Sequence, residues 1–229
     1  MDKTAIRNAA TIIVLRRDAD QTRVLMGQRG AQAAFMPNKF VFPGGAVDAQ
    51  DHHINLAHPI ADPCATRLTF ESDPALARAL TVAAIRELWE ETGLILGAQG
   101  AWSDAPQADW VDFAQRGYVP DARALKFVFR AITPPGRPRR FDARFFMIDA
   151  ADLASDLDDF SQASDELSHL TWIPLSEVRN FDLPFITEVV LAEVARHGDP
   201  SQPPATVPFY KNDDEENLFL QLHGRPMPD

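Results

Sequence analysis

Apolar residues recur along this chain with two periods. Short apolar or alternating runs at residues 10–15, 24–26, 40–42, 125–132, 143–148 and 170–173 read as strands. The first two are joined by the polar turn Asp18-Ala19-Asp20-Gln21, and the third is stopped by Pro43-Gly44-Gly45. Residues 74–91 are apolar round most of a helical circumference, with Leu80, Ala84 and Leu88 on one side and Val82, Ile85 and Trp89 on another. A helix of that kind is buried, and Gly93 closes it. Residues 110–116 predict a short helix and residues 175–178 a helical turn. Residues 184–197 predict a longer helix, opened by Pro184, carrying Arg196 and His197 in its last turn and followed by Gly198. Residues 207–210 and 218–222 resemble a hairpin. Strands and helices interleave without strict βαβ repetition, which predicts an α/β sandwich on a mixed sheet rather than a doubly wound parallel sheet. Residues 46–74 are irregular, and the proline cluster at 199–208 reads as a connector.

Charge changes the picture by its distribution. The 22 Lys and Arg face 33 Asp and Glu, a net charge of −11, which argues against a nucleic-acid polymer as partner. Basic residues gather in 1–45 and in Arg137-Pro138-Arg139-Arg140-Phe141-Asp142-Ala143-Arg144. Residues 149–178 contain no Lys or Arg, and Asp213-Asp214-Glu215-Glu216 is a compact acidic run. No apolar run has the length of a membrane span, the first ten residues lack a secretory core, and the lone Cys64 points to a reducing compartment. The expectation is a cytoplasmic protein. His52, His53 and His58 lack convincing zinc spacing. Phe70, Trp102 and Trp110 are rings that could stack a base, with packing the stronger reading for each.

The stretch with chemistry in it is Arg86-Glu87-Leu88-Trp89-Glu90-Glu91-Thr92-Gly93-Leu94. On a helix Glu87, Glu90 and Glu91 fall at i, i+3 and i+4 and share one face. Ala79 and Ala83 precede them there and leave room for another group. Carboxylates at the edge of a buried helix repel one another and are costly to ionise. A hard divalent cation reverses that cost, because Mg²⁺ and Mn²⁺ prefer carboxylate oxygens.

With Phe42-Pro43-Gly44-Gly45 at a strand end upstream, this stretch resembles the Nudix hydrolase family. The second half of the family's box is matched by Arg86, Glu87, Leu88, Glu90, Glu91, Gly93 and Leu94. The first half begins at Gly45, but 40 residues separate Gly45 from Arg86 where the pattern has 13, an insertion of 27. Counted forward from Gly45, the box's first Glu falls on Asp51; counted back from Arg86, it falls on Arg78. Asp48 and Asp51 are the candidates for that carboxylate. Insertions here, together with Phe35-Met36-Pro37 and Arg139-Arg140-Phe141-Asp142-Ala143-Arg144-Phe145-Phe146, resemble the coenzyme-A-diphosphatase-like branch. Of a coenzyme A motif known in another branch, Arg29 and Phe42-Pro43-Gly44-Gly45 fit. Ala34 and Asn38 do not. The resemblance covers about residues 8–195.

The resemblance implies one domain over 1–229, with 46–74 an insertion and 199–229 a C-terminal extension. It implies an α/β/α sandwich and hydrolysis of a nucleoside diphosphate linked to another moiety, with Mg²⁺ or Mn²⁺ as cofactor and coenzyme A or acyl-coenzyme A as leading substrate. A nucleotide-sugar or dinucleotide diphosphatase and a non-catalytic binding module are the alternatives. Glu90 and Glu91 would be metal ligands, joined by Glu87 and a backbone group at Gly45. Glu87 is also a candidate base, oriented by Arg86, and Glu166 is a further base or ligand. Arg29, Arg140 and Arg144 are candidates for holding substrate phosphates. The insertion is read as a cover over the substrate. Neither a nucleic acid nor a membrane is expected as partner. Strand edges around Phe209 and Phe219 would let two copies pair as a homodimer.

Overall fold

Strand alternation builds two cores on one sheet. In β1 (Ile6–Arg17), Ile12 and Val14 enter one buried cluster while Ile13 and Leu15 enter another. Leu25 and Met26 of β2 (Thr22–Arg29) divide in the same way, as do Phe146 and Phe145 of β8 (Arg140–Asp149). A strand with both faces covered loses its polar alternation, which is why the sequence shows continuous apolar runs. The computed structural model describes residues 5–33, 36–212, 218–221 and 225–226. Ala34, Phe35 and the acidic run at 213–216 lie outside them.

β1 pairs in parallel with β8 and antiparallel with β2 and with β4 (Gly44–Ala46). β2 also pairs with β3 (Phe40–Val41) and β9 (Leu167–Pro174). On the other side, β8 pairs with β7 (Lys126–Ile132), which runs parallel to β10 (Pro208–Lys211). β11 (Leu218–Gln221) and β12 (Arg225–Pro226) complete a ten-stranded mixed sheet. A separate pair, β5 (Gly97–Gln99) with β6 (Tyr118–Pro120), has no clear signal in the sequence.

Helix α2 (Leu76–Thr92) packs on one face of the sheet and α4 (Phe185–His197) on the other, giving the expected α/β/α sandwich. Gly93 ends α2 in the left-handed conformation, φ 74°, that glycine adopts without strain. Shorter helices are α1 (Cys64–Leu68) and α3 (Val111–Gln115). Among the described residues no helix is long and apolar enough to cross a membrane.

The insertion differs from its reading as a cover. Ile54, Ile60, Cys64 and Leu68 are buried in the cluster around α2. The Phe127 amide donates to Cys64 Sγ at 3.3 Å, and Arg78 Nε to the Ile54 carbonyl at 3.0 Å. The segment is core, with Ile54 and Ile60 on irregular backbone and Cys64 and Leu68 on α1. The hairpin edge also differs: Phe209 is fully buried, its strand lies between β7 and β11, and the Arg130 guanidinium sits 4.3 Å from its ring centre. Phe209 therefore offers no edge for pairing copies, and the Phe219 side chain lies outside the described residues.

Candidate active site

The glycine strand β4 lies against α2, and the fit depends on missing side chains. A Cβ on Gly45 would collide with Glu87 Oε1, and one on Gly44 would meet the Ala10 carbonyl oxygen at 2.6 Å. The Gly44 amide donates to Glu91 Oε2 at 2.7 Å, whereas Glu91 Oε1 is buried with no partner among the described residues. Glu87 and Glu91 are buried, and Glu90 is partly exposed.

Arg86 is buried behind these groups and uses all five of its N–H donors. Nε and Nη2 hold Asp51 at 2.9 and 3.1 Å, and Nη2 also reaches the Ala46 carbonyl at 3.0 Å. Nη1 holds Glu87 Oε1 at 2.9 Å and Glu90 Oε2 at 3.0 Å. Of the two candidates for the box's first carboxylate, Asp51 is fully buried and makes the bidentate contact. Asp48 is half-exposed and 3.8 Å from Arg86. The insertion thus keeps Asp51 at the box spacing from Gly45 and adds its extra length after it.

A cavity of about 770 Å³ opens from Gly44 and Gly45 along the α4 face of the sheet. Phe141, Ala143, Phe145, Ala131 and Leu183 give it apolar walls. Arg29 and Glu166 line it and are joined at 2.9 Å. Arg140 and Arg144 do not line it. Arg140 donates to the Thr133 carbonyl at 3.0 Å and the Asn212 carbonyl at 2.8 Å. Arg144 is fully buried, bound to Asp142, Asn8 and Ser72. Both sit on β8 with the parity opposite to Phe141, Ala143 and Phe145, so the cavity lies behind their backbone. Besides Arg29, the cations that do line it are Arg7, Lys39, Arg137 and Arg139, from the two basic stretches of the sequence. Strand alternation would have separated the two sets. Phe70, Trp102 and Trp110 pack with the α2 cluster, away from the cavity.

A solved structure of a Nudix hydrolase from Alicyclobacillus acidocaldarius is 30% identical to this chain, with a TM-score of 0.61, and the match covers 86% of this chain and 93% of that one. The chain belongs to the Nudix hydrolase family. Nudix hydrolase 7 of Caenorhabditis elegans is 31% identical over 183 residues, 75% of this chain and 52% of that protein. The acyl-coenzyme A diphosphatase NUDT19 of Gallus gallus is 28% identical over 178 residues, 54% of this chain and 47% of that protein. The chain thus spans about half the length of these two relatives. No family model matches it.

Nudix hydrolases generally use divalent metals, and the residues here can be tested for fit. Burial pushes the Glu87 carboxyl up to about 7, against the opposing pull of Arg86. Burial, then the neighbouring Glu87, raises Glu91 well above the carboxylate range, and burial raises Glu90. Among the described residues no three His, Cys, Asp or Glu side chains are grouped so as to hold a metal ion in this conformation, in which Glu87 and Glu90 are turned onto Arg86. The unpartnered Glu91 Oε1, buried beside a second carboxylate, is what a hard cation would satisfy. The donor set fits Mg²⁺ or Mn²⁺.

A stability measurement follows from Glu87. Its folded-state pKa lies above the unfolded value, so the folded, metal-free protein binds the extra proton. The protonated group favours folding below about pH 4.5, and that advantage is lost as pH rises through about 7. Between those values wild type should lose about 3 kcal/mol relative to Glu87→Gln in EDTA, read by urea denaturation at each pH. Parallel pH profiles for the two proteins would contradict the assignment.

Proposed function

We propose that this chain hydrolyses the diphosphate link of a nucleoside diphosphate derivative in the presence of Mg²⁺ or Mn²⁺, with an acyl-coenzyme A type of substrate. The observation that carries this reading is the contact of Glu87 and Glu91 with the glycine strand, whose Gly44 and Gly45, and not the carboxylates themselves, line one end of an apolar cavity. Glu91, Glu90 and Glu87 would hold the cation, with the Gly45 backbone beside them. When bound, the cation offsets charge on the diphosphate oxygens and acidifies water. Arg86 acts as a positioning residue: its grip on Glu87 and Glu90, fixed from behind by Asp51, sets where those carboxylates point. Arg29 is aimed at the diphosphate and holds Glu166, the proposed base, at the cavity wall. In hydrolysis a water oxygen bonds to one phosphorus, the bridging P–O bond breaks, and the water proton passes to that base. Two monophosphate products leave.

The apolar walls favour a substrate with an apolar arm over one polar throughout, in line with the acyl-coenzyme A diphosphatase activity for which the Gallus gallus relative is named. The test is a panel of acyl-coenzyme A, coenzyme A, ADP-ribose, NADH and dinucleoside polyphosphates in Mg²⁺ and Mn²⁺. Acyl-coenzyme A should give the highest kcat/KM. Faster turnover of ADP-ribose or dinucleotides would favour the dinucleotide reading, and no turnover across the panel would favour a binding module.

A further inference from the structure

The cavity mouth carries cations that the metal site does not use. Lys39 is paired with Asp182 and Arg29 with Glu166, and Arg7 lies 4.0 Å from Asp48. Arg137 and Arg139 line the cavity, are exposed, and have no ion-pair partner among the described residues. They stand on the loop between β7 and β8. Two bonds pin its base: the Thr133 amide donates to the Phe141 carbonyl at 2.8 Å, and the Phe141 amide to Thr133 Oγ1 at 3.0 Å. Pro134, Pro135 and Pro138 restrict the loop, and Gly136 turns it at φ 80°. Two guanidinium groups are thus presented on a stiff support in a chain whose net charge is −11. Ordering of Arg side chains costs less there than on a flexible loop.

Their place relative to the glycine strand is fixed by register. Gly45 faces Ala10 on β1, and Arg7, three residues earlier, faces Phe141 at the start of β8. Strand rise sets Arg7 about 10 Å from Ala10. That separation is beyond the span of one diphosphate and within reach of a phosphate on the far side of its ribose.

We propose that residues 133–139 form a phosphomonoester-recognition loop, in which Arg137 and Arg139, with Arg7, hold a phosphate carried on the substrate's ribose, outside the diphosphate that is cleaved. The inference rests on the proposed function, because it places the diphosphate at the glycine strand. It assigns the loop to selecting 3′-phosphorylated nucleotides over their dephosphorylated counterparts, through charge-assisted bidentate contacts.

The experiment compares coenzyme A with 3′-dephospho-coenzyme A, which differ by that one group. Dissociation constants are titrated in Ca²⁺ at low ionic strength, alongside hydrolysis in Mg²⁺. Wild type should bind coenzyme A roughly tenfold or more tightly than the dephospho compound, and the preference should shrink in high salt. In R137Q/R139Q the ratio should fall to about one, while R137K/R139K should keep part of it. Equal affinities in wild type, or an unchanged ratio in R137Q/R139Q, would overturn the loop assignment. Absence of hydrolysis with the loop-dependent binding ratio intact would overturn the hydrolase reading and leave the loop assignment standing.

Discussion

Glu91→Gln should lower diphosphate hydrolysis in Mn²⁺ at least about a hundredfold, since loss of groups that merely orient a metal's ligands already costs 10- to 100-fold. The substitution keeps the shape that fits beneath the Gly44 amide and removes the negative charge. Its effect on stability separates this account from simple damage. Glu91 is buried, one of its oxygens lacks a partner, and Glu87 repels it. The metal-free variant should therefore melt no lower than metal-free wild type. Wild-type activity in the variant would remove Glu91 from the site. A variant inactive because it is unfolded would show instead that the residue is structural.

Asp51→Ala should lower stability by about 3 kcal/mol, because it breaks a buried ion pair and leaves two Arg86 donors facing a void. For a chain of this length that corresponds to about 10 °C in melting temperature. Asp48→Ala should change the melting temperature by little, since Asp48 is half-exposed and 3.8 Å from Arg86. Equal effects of the two substitutions would show that Asp51 does not stand in for the box's first carboxylate. Calorimetry on the two variants decides the matter.

The helices that frame the site were legible because their ends are chemically marked. Gly93 and Gly198 close α2 and α4 where expected, and the carboxylate spacing falls on one helix. Counting forward from Gly45 reaches Asp51, which the structure sets against Arg86, whereas counting back from Arg86 reaches Arg78, which does not join that contact. Arg140 and Arg144 misled because a run of basic residues was read as a patch. On a strand, neighbouring residues face opposite ways, and Phe141, Ala143 and Phe145 take the cavity side. The insertion was opaque for a different reason. Ile54 and Ile60 contribute to the core from irregular backbone, and Cys64 and Leu68 from a helix of five residues, too short to show a period. Phe209 resembled an edge because the sequence does not reveal the partner strand β7, whose pairing is parallel and long-range.

Glu87, Glu90 and Glu91 are proposed to hold a divalent cation against the glycine strand. Titration of Mn²⁺ into metal-free wild type and Glu91→Gln, followed by electron paramagnetic resonance, tests it most directly. Binding should be saturable in wild type and weaken at least about tenfold in the variant. Equal Mn²⁺ affinity in the two proteins, or none in wild type, would contradict it.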